Sequence, residues 1–148
     1  MNSKTIYTSN YARISQFIKE VPDARIVATS CWVARWHKGA VHEQRLDLAP
    51  TWEIVDAIKK EEITWEEYAE AYLNLLQERK VDPKKLIKEL PNNTFLLCFE
   101  SPTDHCHRFL LADWVRANTG FQIEEWMTPK ERKQAEKENN LEDLIDLQ

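Results

Sequence analysis

Hydrophobic residues in this chain form two kinds of pattern, short unbroken runs and longer stretches with helical spacing. The clearest unbroken run covers residues 95–99, without polar alternation, which is typical of a strand buried on both faces of a parallel sheet. A stretch with helical spacing follows this run. In the segment that joins them, Ser101 or Asp104 can be the N-cap of a helix, and Pro102 suits a first helical position. The pattern predicts a strand that turns tightly into a helix, a unit that places functional groups at the carboxyl edge of α/β sheets.

The beginning of the chain repeats this alternation of strand and helix patterns. Residues 5–9 favour a short strand, residues 10–20 a helix, and residues 25–29 a second strand. A strand, a helix and a strand within so few residues predict a βαβ unit. The two strands should therefore be parallel, with a right-handed crossover between them.

Helical spacing dominates the chain after residue 50. Three successive helices are predicted, at residues 51–60, 64–80 and 82–90, and the second starts with a capping box from Thr64 to Glu67. Residues 121–125 alternate, as an edge strand should. The final stretch predicts an exposed charged helix over residues 129–139 and an acidic tail over residues 140–148.

Together these elements predict an α/β fold, a small and mainly parallel sheet flanked by helices in a Rossmann-like three-layer arrangement. The strand at residues 95–99 should be central and parallel to the first two strands. We expect a single α/β domain over residues 1–128, followed by the charged helix and acidic tail over residues 129–148.

Composition narrows the class of protein. Hydrophobic residues make up 43% of the 148 residues, as in ordinary globular domains, and no run reaches the ~20 apolar residues of a membrane span. The amino terminus has no signal-peptide core, and three widely spaced cysteines do not make a disulfide framework, so we expect a cytoplasmic protein. Two glycines are too few for a glycine-rich phosphate or dinucleotide loop, and no bound cofactor is expected.

Charge is unevenly distributed. The net charge of −5 argues against nonspecific coating of nucleic acid, although the first 50 residues carry seven Lys/Arg against four Asp/Glu. Residues 30–50 lack a regular pattern and mix Trp32 and Trp36 with Arg35 and His37. Cations between aromatic rings can bind phosphates and stack on bases. Alternatively, this loop packs its tryptophans on the core and leaves its cations in water.

The densest chemistry lies in four consecutive residues, His105, Cys106, His107 and Arg108. Helical geometry, at about 100° per residue, turns His107 toward the sheet and His105 away from it. His107 is therefore either a satisfied core histidine or one wall of a site. Arg108 favours a site, because a guanidinium at a sheet–helix junction needs an anionic partner and a helix N-terminus attracts anions. If Arg108 is structural instead, Glu100 or Asp104 should pair with it.

Metal binding and thiol catalysis are both weaker hypotheses. Structural zinc usually takes two separated ligand pairs, whereas adjacent ligands on a helix diverge, with His105 and His107 about 200° apart. We therefore expect no metal site. Cys98 or Cys106 could be an activated nucleophile near a helix N-terminus, but the Cys-x5-Arg loop of phosphatases is absent, since the sixth residue after Cys98 is Asp104.

The preferred hypothesis is an anion- or nucleotide-binding site at the carboxyl edge of the sheet, and the sequence leaves open whether the site also catalyses a reaction. His107 would act as acid or base, with Glu100 orienting it, and Arg108 would clamp a phosphate. Further candidate binding residues come from the motif, the end of the first strand and the loop: His105, Cys106, Tyr7, Ser9, Asn10, Arg35 and His37. The expected partner is a phosphate-bearing small molecule or a nucleic acid, and not a membrane. Sequence leaves the oligomeric state open.

A second function class is a binding or adaptor domain that breaks no bond. In it, the Trp- and cation-rich loop at residues 30–50 would contact nucleic acid or protein. An enzyme should gather His107, Arg108 and Glu100 around one concave pocket, whereas an adaptor should present an open aromatic patch.

The run Leu96-Leu97-Cys98-Phe99-Glu100, followed by His105-Cys106-His107-Arg108 and Leu110-Leu111-Ala112-Asp113-Trp114, resembles the signature of the domain-of-unknown-function 488 family. The resemblance extends over about residues 5–126. It implies a compact α/β domain with a site around Cys106, His107 and Arg108, and it implies no particular substrate.

Overall fold

A five-stranded, all-parallel sheet forms the centre of the computed structural model, which describes residues 4–99 and 105–146, with side chains through residue 140. The strand order is β3-β2-β4-β1-β5. The strands are β1 (Ile6–Asn10), β2 (Arg25–Ala28), β3 (Glu43–Gln44), β4 (Thr94–Cys98) and β5 (Glu124–Glu125). The predicted mainly parallel α/β fold is confirmed.

The central position of β4 follows from its composition. All five residues of β4 are buried, and the strand pairs in parallel with β1 on one side and β2 on the other. Its side chains therefore enter both layers of the core, Phe95 and Leu97 on one face and Leu96 on the other. An unbroken apolar run is the sequence that such a two-sided strand requires.

Helices cover both faces of the sheet. On one face, Phe17 of α1 stacks on Phe95 with ring centroids 4.0 Å apart. On the other face, Tyr72, Leu111 and Val115 pack around Leu96. The helices are α1 (Ile14–Glu20), α2 (Trp52–Lys59), α3 (Trp65–Glu78), α4 (Pro83–Glu89), α5 (His107–Thr119) and α6 (Pro129–Asp146).

Helix boundaries agree with the capping signals in most places. The capping box of α3 forms as predicted, with Thr64 and Glu67 each bonded to the backbone of the other. Asp82 caps α4, and Gly120 ends α5 with a positive φ of 77°, a conformation that suits glycine. None of the helices among the described residues combines the length and apolar character needed to cross a membrane.

The start of α5 differs from the prediction. This helix begins at His107 with Cys106 as its N-cap residue, later than a cap at either Ser101 or Asp104 would place its start. The expected caps, Ser101 and Asp104, lie outside the described residues. Because Cys106 precedes the helix with an extended φ of −149°, its side chain does not follow the helical progression assumed for the motif.

Two further differences concern the loop and the C-terminal helix. The irregular stretch at residues 30–50 contains two 3-10 helices, Arg35–Ala40 and Leu46–Leu48, and the two-residue edge strand β3. Helix α6 continues to Asp146, beyond the helix predicted to end at residue 139. Arg13 of the turn before α1 binds Glu131 of α6 through two N–H···O bonds of 2.6 and 3.0 Å, which docks this charged helix on the domain.

Candidate functional site

A cleft of about 640 Å³ opens at the carboxyl edge of the sheet. Its floor includes Cys98 at the end of β4 and His107 at the start of α5. This is where parallel α/β sheets usually place ligands, because the strand ends and the loops that follow them meet there.

The walls of the cleft are largely aromatic. They include Trp32, Trp52, Tyr68 and Phe99. Trp32 and Trp52 are 59% and 61% exposed, unusually high values for tryptophan, and Trp32 stacks on Phe99 with centroids 5.5 Å apart. Exposed rings around one concavity are suited to contact a flat apolar or aromatic ligand.

Helix α2 forms one side of the cleft with residues at helical spacing. Trp52, Val55 and Lys59 are three and four residues apart and all line the cleft. Thr51 fixes the start of this helix, since its hydroxyl accepts a hydrogen bond from the Ile54 amide. Lys59 gives an otherwise apolar wall a positive charge.

His107 is held in one orientation at the floor. Its Nε2 lies 2.8 Å from the carbonyl oxygen of Thr29 and 3.1 Å from the Thr29 hydroxyl. A carbonyl accepts only, so Nε2 carries the proton and Nδ1 is unprotonated. Nδ1 lies 3.7 Å from Sγ of Cys106.

The ring of His107 is neutral at physiological pH. The pKa of His107 is lowered to about 4, mainly because the ring is buried. The hydrogen bond to the Thr29 carbonyl raises this pKa in part, and the positive charge of Arg108 lowers it again. This result supports a fixed neutral imidazole at the floor of the cleft.

Arg108 lies behind the floor with none of its surface exposed. Its Nε and Nη2 donate to the two carboxylate oxygens of Glu125 at 3.0 and 2.9 Å, and Nη1 lies 2.8 Å from Sγ of Cys98. Of the two roles that the sequence left open for Arg108, this geometry is that of the buried ion pair. Among the described residues, the carboxylate that pairs with Arg108 is Glu125 of β5, a residue that the sequence did not connect with the motif.

Two cysteines meet beside His107. Cys98 and Cys106 are joined by a disulfide. Their Sγ atoms and a ring nitrogen of His107 lie within 4.8 Å of one another. The expectation that neighbouring motif residues diverge was wrong for this set, because Cys106 precedes α5 and so is free of helical geometry. Cys31 is exposed and free.

The structure does not bring the remaining predicted residues to the floor. His105 is exposed and stacks on Trp65 with centroids 4.4 Å apart. Tyr7 stacks on Phe95, and burial is the main cause that raises the pKa of Tyr7. Asn10 accepts a hydrogen bond from the Arg13 amide.

Three further predicted residues also lie away from the lining of the cleft. The Ser9 hydroxyl is buried and has no hydrogen-bond partner among the described residues. Arg35 and His37 belong to the 3-10 helix of the loop, where His37 stacks on Tyr11 with centroids 5.5 Å apart. Glu100, the predicted partner of His107, lies outside the described residues.

Sequence reasoning missed Trp52, Lys59 and Tyr68 as site residues. Each belongs to a helix that was predicted from its spacing and then treated as scaffold. One feature of the sequence could have indicated the role of α2 in the site. Trp52 is a large aromatic residue in the first turn of a short helix that directly follows an irregular loop.

Comparison with protein families gives a match over most of the chain. A family model described as the active DUF488-N3 subclade matches residues 9–119, about three quarters of the chain. The chain belongs to the DUF488-N3a family. The expected relation to family 488 is thereby confirmed, and the matched residues contain both the cleft and the motif. No match was found among curated proteins or among solved structures.

Proposed function

We propose that this family member binds a nucleotide-type ligand, one with an aromatic ring and an anionic group, in the cleft at the carboxyl edge of its sheet. The observation that carries the proposal is the combination of the exposed rings of Trp32 and Trp52 with Lys59 around one cleft of about 640 Å³. Ligand sites of this size are typically apolar with a few polar groups that fix orientation.

The aromatic lining supports a base or a similar flat ring as the ligand. Stacking of a base on an aromatic side chain contributes about 1–3 kcal/mol, and it does not depend strongly on which base is bound. Trp52 has no ring partner among the described residues, so its face is available to a ligand.

Two features favour an anionic group on the same ligand. Lys59 lines the cleft and can pair with a phosphate. The 13-residue helix α5 begins at His107, so the positive end of its dipole is directed to the floor. Arg108 is left out of the contact set, because its guanidinium is buried against Glu125.

Any reaction would take place at the floor, where Cys98 and His107 face the cleft. The matching family is described as an active subclade, which supports a catalytic role for these residues. Catalysis is a second step of the proposal and depends on the first, ligand binding.

A matched pair of tryptophan variants tests the binding step. We expect ADP to bind wild type, as measured by calorimetric titration, and Trp52→Ala to weaken that affinity roughly 5- to 150-fold through lost stacking. Trp36→Ala is the control, because Trp36 is 79% exposed but does not line the cleft. Inorganic phosphate alone should bind much more weakly than ADP.

The adaptor hypothesis predicts the opposite result. Trp36 and the neighbouring Lys38 stand on the exposed 3-10 helix Arg35–Ala40, a surface that could contact nucleic acid or protein without a cleft. If single-stranded nucleic acid binds and Trp36→Ala abolishes its binding while Trp52→Ala does not, the adaptor function replaces the one proposed.

A further inference from the structure

The proposed binding of a nucleotide-type ligand does not explain why Cys98, Cys106 and His107 converge. All three residues are buried, and their sulfur and nitrogen atoms lie within 4.8 Å of one another. Two sulfur ligands and one imidazole are a common donor set for zinc, and in catalytic zinc sites three protein ligands leave one position open.

The orientation of His107 matches that of a metal-binding histidine. Such a histidine normally donates its other ring N–H to a carbonyl or carboxylate, which fixes the ring for the metal. Here Nε2 is 2.8 Å from the Thr29 carbonyl oxygen, and the unprotonated Nδ1 is turned to Cys106.

The distance between two of the ligand atoms also fits. Bonds of about 2.3 Å to sulfur and 2.0–2.1 Å to nitrogen, at a tetrahedral angle, separate the two atoms by roughly 3.5 Å. Sγ of Cys106 and Nδ1 of His107 are 3.7 Å apart. Neither atom needs a large movement to share an ion.

The backbone spacing of the two cysteines favours the same interpretation. Their Cα atoms are 7.6 Å apart, whereas cysteines in a disulfide usually hold theirs ~4.4–6.8 Å apart. Two cysteines that bind one ion have two sulfur–metal bonds between their side chains, which suits a wider spacing.

We propose that the reduced chain binds one Zn²⁺ through Cys98, Cys106 and His107. A thiol reductant such as glutathione first supplies two electrons and two protons to the disulfide and is itself oxidised to a disulfide. The two cysteine thiols then lose their protons to become thiolates, and His107 binds the ion through Nδ1, with no electron transfer in this binding step. The disulfide form excludes the ion, since its sulfurs are bonded to each other. Nη1 of Arg108, 2.8 Å from Sγ of Cys98, would support that thiolate from outside the metal.

The ion would lie at the floor of the cleft, because Cys98 and His107 both line it. Its fourth position would then be directed toward the ligand space, where zinc can polarise an oxygen or activate a water. Zinc binding itself does not depend on the proposed nucleotide ligand, so each proposal can fail without the other.

Metal analysis of the full chain, purified under reducing conditions without chelator, tests the proposal. We expect about one zinc per chain in wild type and in Cys31→Ser, which removes the exposed free cysteine. Cys98→Ser and His107→Gln should each lower the zinc content at least tenfold. Retention of zinc in folded Cys98→Ser would contradict the proposed ligand set.

A second measurement needs no variant that could fail to fold. Reduced, metal-free wild type is titrated with Co²⁺, whose absorption reports thiolate coordination by a charge-transfer band and tetrahedral geometry by strong visible bands. We expect both, saturating at about one ion per chain and lost on addition of excess zinc. If neither band develops and the reduced chain takes up no zinc, the proposal is overturned.

Discussion

Arg108 and His107 are neighbours in sequence, yet their side chains have different roles. His107 faces the cleft with a neutral ring, while Arg108 turns away from it and binds Glu125. Helical geometry predicted the direction of His107 but not the partner of Arg108, because Glu125 is 17 residues further along the chain. The Thr8 hydroxyl also donates a hydrogen bond of 2.7 Å to Oε1 of Glu125, which links the ion pair to β1.

The burial of this ion pair gives a stability prediction for Arg108→Ala. Removing one partner of a buried pair leaves an uncompensated carboxylate and typically costs about 3–5 kcal/mol. Arg116→Ala on the same helix is the control, because Arg116 is 61% exposed and its loss should change the free energy of unfolding by less than about 0.5 kcal/mol. Urea unfolding of both variants measures the difference; equal, small losses would show that the pair with Glu125 is not structural.

At the scale of elements, the sequence predicted those with a strong hydrophobic pattern or a clear capping signal. The unbroken apolar run of β4 is needed because that strand is buried on both faces. The capping box of α3 is needed because the first backbone amides of a helix lack partners within the helix. Strand β3 has only two residues, so it carries no periodicity and was missed. The start of α5 was misplaced because several residues before it could all serve as caps.

The docking of α6 should depend on pH through Glu131. The hydrogen bonds from Arg13 are the main cause that lowers the pKa of Glu131 to about 2, well below its ordinary value of 4.5. A lowered pKa in the folded state means that the stabilisation is present above pH 4.5 and is lost as the pH falls toward 2. Wild type should therefore lose more stability than Glu131→Gln over this interval.

Thermal unfolding at a series of pH values measures the effect on α6. Glu136→Gln provides the control, since it removes a carboxylate of the same helix for which no described ion pair exists, and it should follow wild type. Because Glu131 is 37% exposed, the difference should be modest. Parallel curves for wild type and Glu131→Gln would show that the Arg13 contact does not stabilise the fold.

At the scale of the whole molecule, the parallel sheet explains why distant segments meet at one site. Every strand ends at the same edge, so the loop after β2, the start of α2 and Phe99 after β4 converge there. Sequence reasoning found the floor residue His107, because motif and strand are adjacent in the chain. It could not find Trp52 or Lys59, whose position depends on how α2 packs against distant segments.

Chemical-shift mapping with ADP tests the proposed ligand site most directly. The indole N–H signals of the six tryptophans give probes inside and outside the cleft of the ¹⁵N-labelled chain. We predict that saturation with ADP shifts the indole signals of Trp32 and Trp52 and the backbone amide of Lys59, and leaves those of Trp36 and Trp126 unchanged. Shifts confined to Trp36 and its 3-10 helix, or no shifts at millimolar ADP, would contradict a nucleotide site in the cleft.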